Sequence, residues 1–148
     1  MKIKHLILAL VAVIFSVSVA SASDRYLRDD SELPAAARTA VNKHFKAPVS
    51  FIKVDKDFGR ISEYEVVLTD GTEITFDNKG NWKEIETSVK KSVPGAFIPK
   101  PMAKFVKTIH KGVRIIGIEK KSKGFEVTFS NGIEAIFDAQ GNFLRYDD

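Results

Sequence analysis

Two nineteen-residue segments of this chain are similar to each other, and this similarity limits the folds it can adopt. Residues 64–82 read YEVVLTDGTEITFDNKGNW, and residues 125–143 read FEVTFSNGIEAIFDAQGNF. At a constant offset of 61 residues, eight of the nineteen positions are identical. Both segments alternate apolar with polar residues and are interrupted by glycine at the same places, which is typical of antiparallel hairpins. The similarity predicts two copies of one structural unit.

A segment with helical periodicity precedes each copy. Apolar residues recur every fourth position from Leu33 to Phe45, and a second apolar stripe lies between Pro101 and Gly112. Three or four strands are predicted after each helix. We therefore predict an α+β fold of two tandem helix-plus-antiparallel-sheet repeats, with the helices packed on one face of the sheet.

The chain divides into three parts on this interpretation. Residues 1–22 are predicted to be a signal peptide, residues 23–86 the first repeat, and residues 87–148 a connection followed by the second repeat. The connection is rich in proline and lysine. We expect the two repeats to form one domain.

The first 22 residues have the three parts of a secretory signal peptide. Lys2 and Lys4 begin it, an apolar run follows from Leu6 to Phe15, and Ala20 and Ala22 supply the small residues before cleavage. The run is shorter than the ~20 residues needed to cross a bilayer, so no stable membrane anchor is expected after cleavage. The sequence has no cysteine, which excludes disulfides. These features predict an exported protein, periplasmic or secreted.

The glycines of the hairpins predict the strand registers. A three-residue loop over 69–71, with Gly71 left-handed, aligns apolar residues with one another across the hairpin, whereas a two-residue loop opposes Leu68 to Glu73. The loop 130–132 gives the same alignment in the second copy. The predicted pairs are Tyr64–Phe76, Val66–Ile74, Phe125–Phe137 and Val127–Ala135, followed by Phe76–Trp82 and Phe137–Phe143.

Strict alternation from these registers sends a second set of apolar side chains to the face opposite the helices. The set consists of Phe51, Val67, Ile85, Ile115, Ile136, Leu144 and Tyr146. An apolar cluster rimmed by polar groups on an open sheet is typical of a protein interaction site. The alternative is that the connection 87–101 or the arm 23–32 covers this face. Phe58, at the tip of the loop 55–63, is a further candidate for partner binding.

The pattern of residues also resembles a known family. A helix led by Leu33-Pro34, then a strand, then YEV…DG…I.FD..GNW is similar to the PepSY-like, β-lactamase-inhibitor-like family of exported bacterial proteins. The match depends on residues 64–82 and 125–143. The resemblance implies a sheet built from both copies with helices on one face. It also implies that relatives act as binding or inhibitory modules.

Residues suited to catalysis or metal binding are sparse. After signal cleavage the only histidines are His44 and His110, each near the end of a predicted helix and without the spacing of a metal-binding motif. The loop 77–81 begins like a calcium loop, but its ligand alternation fails at Lys79. We therefore predict no catalytic residue, no cofactor and no metal site, and a protein that is not an enzyme.

The charge is unevenly distributed along the chain. Residues 83–124 contain eleven Lys or Arg against three Asp or Glu, and Lys100, Lys104, Lys107 and Lys111 lie at helical spacing. Such a row is typical of a solvated face but also of a site that attracts anions. Nucleic acid is not an expected partner because exposed aromatics do not alternate with the basic residues.

Two functional hypotheses follow from these observations. The first is a non-enzymatic extracytoplasmic binding module that inhibits or modulates another exported protein. The alternative is a small-ligand or anionic-surface binder that uses the basic second helix. Binding to an anionic surface should weaken steeply as salt rises, whereas an apolar protein contact should weaken much less.

Export can be tested on the protein from its native source. Because Ala20 and Ala22 precede the predicted cleavage site, mass spectrometry should find the mature amino terminus at Ser23 or within a few residues of it. A mature protein that retains residues 2–20 would contradict the predicted compartment.

Overall fold

Nine strands and two α-helices make up the part of the chain that the structure describes. The computed structural model describes residues 24–147, so the predicted signal peptide lies outside the described residues. The elements are β1 (Arg25–Leu27), α1 (Ala35–His44), β2 (Val49–Asp57), β3 (Arg60–Leu68), β4 (Glu73–Asp77), β5 (Trp82–Glu86), a 3-10 turn (Gly95–Phe97), α2 (Lys100–Ile109), β6 (Ile115–Lys121), β7 (Gly124–Phe129), β8 (Glu134–Asp138) and β9 (Phe143–Asp147). Neither α-helix within residues 24–147 has the length and apolar composition that a membrane span requires.

All nine strands belong to one antiparallel sheet whose spatial order follows the chain from β1 to β9. The predicted architecture of two tandem helix-plus-antiparallel-sheet repeats is therefore wrong. Strand β5 pairs directly with β6, so the ladder continues without a break across the connection. The arm before α1 adds β1 as an edge strand beside β2. The protein is a sheet-dominated α+β structure with two helices on a single sheet.

The predicted hairpin registers are confirmed. Val66 pairs with Ile74 and Val127 with Ala135, as the three-residue loops require. In the first loop the N–H of Gly71 donates to the carbonyl of Leu68 at 3.0 Å, and Gly71 has a φ of 85°. Only a residue tolerant of left-handed backbone suits that position. Local turn chemistry thus sets which side chains of these hairpins face the helices.

Ile85 does not face outward as predicted. Trp82 keeps its expected pairing, but a bulge in the β4–β5 ladder makes Lys83 an extra residue and pairs Glu84 with Thr75. The extra residue reverses the alternation, because one residue is inserted on only one of the two strands. Ile85 consequently pairs with Ile74 and is fully buried in the core.

Bulges also misplace two candidates of the second half. A bulge between Ile136 and Phe137 in the β8–β9 ladder makes Leu144 an extra residue, so Tyr146 pairs with the buried Ala135 on the helix side. A third bulge, early in β6, leaves Ile115 paired with Phe129 and buried. The prediction that Ile115 and Tyr146 lie on the face opposite the helices is therefore wrong.

Both helices cover the same face of the sheet, as predicted. The buried helix residues Ala37, Val41, Met102 and Val106 join one core with the inward residues of the strands. The connection also contributes to this side, where Phe97 stacks on Phe45 with ring centroids 5.7 Å apart. Phe97 of the connection thus lies on the helix side, whereas Tyr26 of the arm lies beside Phe51 on the opposite face.

The helix contacts make a prediction about two glycines. Gly141 and Gly132 both have positive φ, 88° and 84°, but a Cβ at Gly141 would lie 2.4 Å from Cβ of Pro99, whereas a Cβ at Gly132 would meet nothing within 4 Å. Gly132→Ala should therefore lose about 1–2 kcal/mol of unfolding free energy from backbone strain alone. Gly141→Ala should lose a further ~1–3 kcal/mol because the start of α2 must move. Urea unfolding measures both, and equal losses would contradict the close packing of β8, β9 and α2.

Candidate functional site

The face of the sheet opposite the helices is acidic rather than apolar. Of the predicted apolar set, Phe51 and Val67 lie there side by side on β2 and β3, and Ile136 lies there on β8. Val67 on β3 and Ile136 on β8 are therefore five strand spacings of ~4.8 Å apart. The side chains between them are mostly carboxylates. We call this surface the acidic face, and it consists of Glu65, Glu73, Glu84, Glu86, Glu119, Glu126, Glu134 and Asp147.

Strand pairing places several of these carboxylates directly opposite one another. The β5–β6 ladder pairs Glu84 with Glu119, and the β4–β5 ladder pairs Glu73 with Glu86. The β6–β7 ladder then pairs Glu119 with Glu126. Like charges opposite each other on neighbouring strands destabilise a sheet. The acidic face therefore concentrates repulsion in the middle of the molecule, where the two halves of the chain meet.

A small hollow lies at the centre of the acidic face because residue 117 is a glycine. Gly117 pairs with Glu86 on one side and Thr128 on the other. A Cβ built on Gly117 would lie 3.3 Å from Cβ and Oγ1 of Thr128, so a side chain there would fill the hollow. The cavity has a volume of about 40 Å³. A glycine inside a strand is typical of places where a ligand approaches the backbone closely. The residues that line it are Glu84, Glu86, Ile118, Glu119, Glu126, Thr128 and Glu134.

The electrostatics of the hollow follow from this crowding. Burial raises the pKa of Glu84 to about 7, and repulsion from Glu86 and Glu119 adds to that effect. Burial likewise raises the pKa of Glu73, with repulsion from Glu65 and Glu86 as the further causes. Burial also raises the pKa of Glu65, which Lys53 partly opposes. These carboxyls hold protons more tightly than exposed ones because burial disfavours the charged form and the neighbouring carboxylates repel it.

The positive charges on this face already contact carboxylates, and Arg145 pairs with Asp147 at 3.0 Å on β9. Nζ of Lys121 lies 2.5 Å from a carboxylate oxygen of Glu119 and 3.3 Å from one of Glu126. Lys53 pairs with Asp55 at 2.9 Å, near the other edge of the sheet. Glu84 has no ion pair among the contacts between described residues. The same holds for Glu65, Glu73 and Glu86, so no direct ion pair compensates the charge of these four carboxylates.

One group of carboxylates has the spacing of a cation site. One oxygen each from Glu126, Glu134 and Asp147 lie within 4.8 Å of one another, on β7, β8 and β9. Calcium binds oxygen at ~2.3–2.6 Å, so oxygens on opposite sides of the ion lie up to ~5 Å apart. Two of the three residues also line the hollow beside Gly117. This all-oxygen, carboxylate-rich donor set fits a hard divalent cation, which the sequence analysis did not predict.

The other predicted residues do not form a joint site. Leu144 is exposed in its bulge, and Phe58 is fully exposed at the tip of the β2–β3 hairpin with a positive φ of 49°. Tyr146 contacts His110, whose Nε2 lies 3.0 Å from the tyrosine hydroxyl oxygen. His44 lies elsewhere, against Phe97 at a ring distance of 5.0 Å. The predicted partner-binding residues are thus spread over several surfaces.

The alternation that predicts the outward apolar set also predicts four glutamates as its polar rim, and all four lie on the acidic face. Glu65 matches Glu126 and Glu73 matches Glu134 at the offset of 61 residues, and all four occupy outward positions. Outward glutamates are ordinary on a solvated strand, so the signal alone was weak. Only the β5–β6 pairing reveals that they lie close to Glu84 and the residues around it.

Comparisons with known proteins give a consistent result. A family model described as "Putative beta-lactamase-inhibitor-like, PepSY-like" matches residues 62–145. No curated protein matches the chain. Among solved structures, a "putative periplasmic protein of unknown function" from Bacteroides vulgatus ATCC 8482 is 42% identical with a TM-score of 0.78, covering 84% of this chain and 99% of its own.

Two other solved structures are similar. A "putative calcium-regulated periplasmic protein" from Bacteroides thetaiotaomicron is 33% identical with a TM-score of 0.77, covering 84% of this chain and 97% of its own. A "putative periplasmic protein" of the DUF2874 family from Bacteroides vulgatus ATCC 8482 is 31% identical with a TM-score of 0.76, covering 87% of this chain and 100% of its own. The solved relatives are thus described as extracytoplasmic.

The raised pKa of Glu84 predicts how stability depends on pH. The folded-state pKa of about 7 exceeds the ordinary value of 4.5, so folding loses stability from this group as pH rises from about 4.5 through 7. Glu84→Gln should therefore raise the unfolding free energy at pH 8 by about 1–2 kcal/mol, after allowing for solvent screening of a half-buried group, and leave it unchanged at pH 4.

Urea unfolding at both pH values measures the effect. Asp57→Asn, which removes one negative charge at an exposed position without an ion pair between described residues, is the control and should change the unfolding free energy at pH 8 much less than Glu84→Gln does. An equal effect of Glu84→Gln at both pH values would contradict the electrostatic account of the hollow.

Proposed function

This chain belongs to the PepSY-like, beta-lactamase-inhibitor-like family, and from that premise we propose that it is a non-catalytic extracytoplasmic module whose acidic face binds Ca²⁺. The observation that supports this most directly is the carboxylate cluster of Glu126, Glu134 and Asp147 beside the Gly117 hollow. The periplasmic description of the solved relatives supports the compartment, and one of them is described as calcium-regulated.

The chemistry of the donor set favours calcium over magnesium. Calcium accepts six to eight oxygens in flexible geometry, whereas magnesium requires near-ideal octahedral geometry and keeps much of its water. The carboxylates come from three different strands and from side chains with several rotatable bonds, which suits the more adaptable ion. Bound Ca²⁺ would also lower the pKa of Glu84, which burial and repulsion from Glu86 and Glu119 raise, because a nearby cation favours the charged carboxylate.

The proposed partner is another exported protein that meets the acidic face and its apolar border. Phe51 and Val67 form that border with Tyr26, whose ring centroid lies 6.0 Å from that of Phe51. Tyr26 is 62% exposed. An apolar group beside charged groups is the usual composition of a protein interface. Calcium would set the net charge that this surface presents, which gives the binding a dependence on the ion.

The basic second helix supports a second candidate function. Lys100, Lys104, Lys107 and Lys111 are all exposed on the opposite side of the molecule from the acidic face. An anionic ligand or surface would meet this side. The two uses are distinguishable because calcium would act on one side of the sheet and anions on the other.

Calcium should stabilise the folded protein. Extracellular calcium modules bind with Kd of ~10⁻⁴–10⁻³ M, and at 100 times the Kd a ligand adds about 2.7 kcal/mol to the unfolding free energy. Urea or thermal unfolding in 10 mM CaCl2 should show a gain of about 1–3 kcal/mol over 10 mM MgCl2 for the mature protein. The double variant Glu126→Gln/Glu134→Gln should lose this gain, because it removes two of the three clustered carboxylates.

The matched control is Glu32→Gln/Glu63→Gln, which removes two charges at positions that do not line the hollow. It should keep the calcium response of the wild type. Equal stabilisation by both salts, or an equal response in both double variants, would mean that calcium acts only through ionic strength and would contradict the proposal.

A further inference from the structure

A groove separate from the acidic face lies on the helix side of the sheet. It runs between the second half of α2, the start of β6 and the connection, and has a volume of about 410 Å³. Its inner wall is apolar and includes Val93, Ile98, Val106 and Ile115. Binding sites for small molecules typically have ~300–1,000 Å³, so the groove has room for a ligand near the small end of that range.

The rim of the groove is cationic. Lys107, Lys111 and Arg114 line it, and no Asp or Glu is among its lining residues. Neither lysine forms an ion pair with a described carboxylate. Arg114 donates one hydrogen bond from its guanidinium to the carbonyl oxygen of Val89 and keeps its other donors. The groove therefore combines an apolar wall with an uncompensated positive edge.

The backbone around the groove is held in place. The N–H of Val93 donates to the carbonyl of Ile115 at 2.8 Å, which fixes the connection to β6. The backbone of Arg114 exchanges two hydrogen bonds with Ser130, from its N–H to Oγ at 3.1 Å and to its carbonyl from the Ser130 N–H at 2.8 Å. A wall formed before the ligand arrives reduces the entropy lost on binding.

We propose that this groove binds a medium-chain fatty acid as its free carboxylate. The alkyl chain would lie against the apolar wall, and the carboxylate would meet the ammonium groups of Lys107 and Lys111. Each methylene buried against the wall should tighten binding roughly three- to fourfold. Charge complementarity sets the head group, because a neutral or cationic head would leave the positive edge without a counter-charge. This inference rests on the second candidate function, that of the basic helix, and is independent of the calcium proposal, since the two sites lie on opposite faces of the sheet.

Isothermal titration of the mature protein with decanoate, below its micellar concentration, tests the proposal. Decanoate should bind with one site per chain, octanoate about tenfold more weakly, decanol at least tenfold more weakly, and decyltrimethylammonium not detectably. Absence of decanoate binding would overturn the proposal, and so would equal affinity for decanoate and decanol.

Two double variants of α2 locate the site. Lys107→Gln/Lys111→Gln should weaken decanoate binding at least tenfold, whereas Lys100→Gln/Lys104→Gln removes the same charge from the same helix outside the groove and should change it less than twofold. Ala103→Leu, at an exposed lining position, should weaken binding by filling space while leaving the fold intact. Equal loss in both lysine variants would overturn the assigned site, because it would indicate general attraction to the basic helix.

Discussion

The pairing of β5 with β6 is the interaction on which the rest of the structure depends. It aligns Ile85 with Ile118 on the helix side and Glu84 with Glu119 on the other. The N–H of Thr87 extends the contact by donating to the carbonyl of Ile116 at 2.7 Å. Because strand side chains alternate between faces, one short ladder joins the two apolar halves into a single core. The same ladder brings carboxylates from both halves together.

The two faces of the sheet consequently have opposite character. Apolar burial under the helices contributes the main favourable part of the folding free energy. This contribution outweighs the repulsion between carboxylates on the acidic face. Burial, together with that repulsion, raises the pKa of Glu84. A cation that binds the acidic face should stabilise the folded protein, because it reduces the repulsion between carboxylates that the folded sheet holds close together. The exposed lysines of α2 on the other side give the molecule a second, independent charge pattern.

The sequence predicted features that depend on residues close together in the chain better than features that depend on residues far apart in it. The registers of Val66 with Ile74 and Val127 with Ala135 were predictable because a glycine in each turn determines them locally. The side of the sheet that Ile85 faces was not predictable. A one-residue bulge reverses the alternation of side chains, and no distinctive residue type in the sequence marks the bulge. The outward direction of Glu65, Glu73, Glu126 and Glu134 was predictable from alternation, but the joining of the two halves into one acidic face was not. The carboxylates of the two halves meet only through the pairing of β5 with β6, and hydrophobic periodicity contains no information about which strands become neighbours.

The most direct measurement is the pKa of the Glu84 carboxyl by ¹³C NMR, with and without calcium. The account predicts a pKa of about 7 in the calcium-free protein, as burial and the facing Glu86 and Glu119 require, and a fall toward or below the ordinary value when calcium saturates the acidic face. A pKa near 4.5 without calcium, or a raised pKa that calcium leaves unchanged, would contradict it.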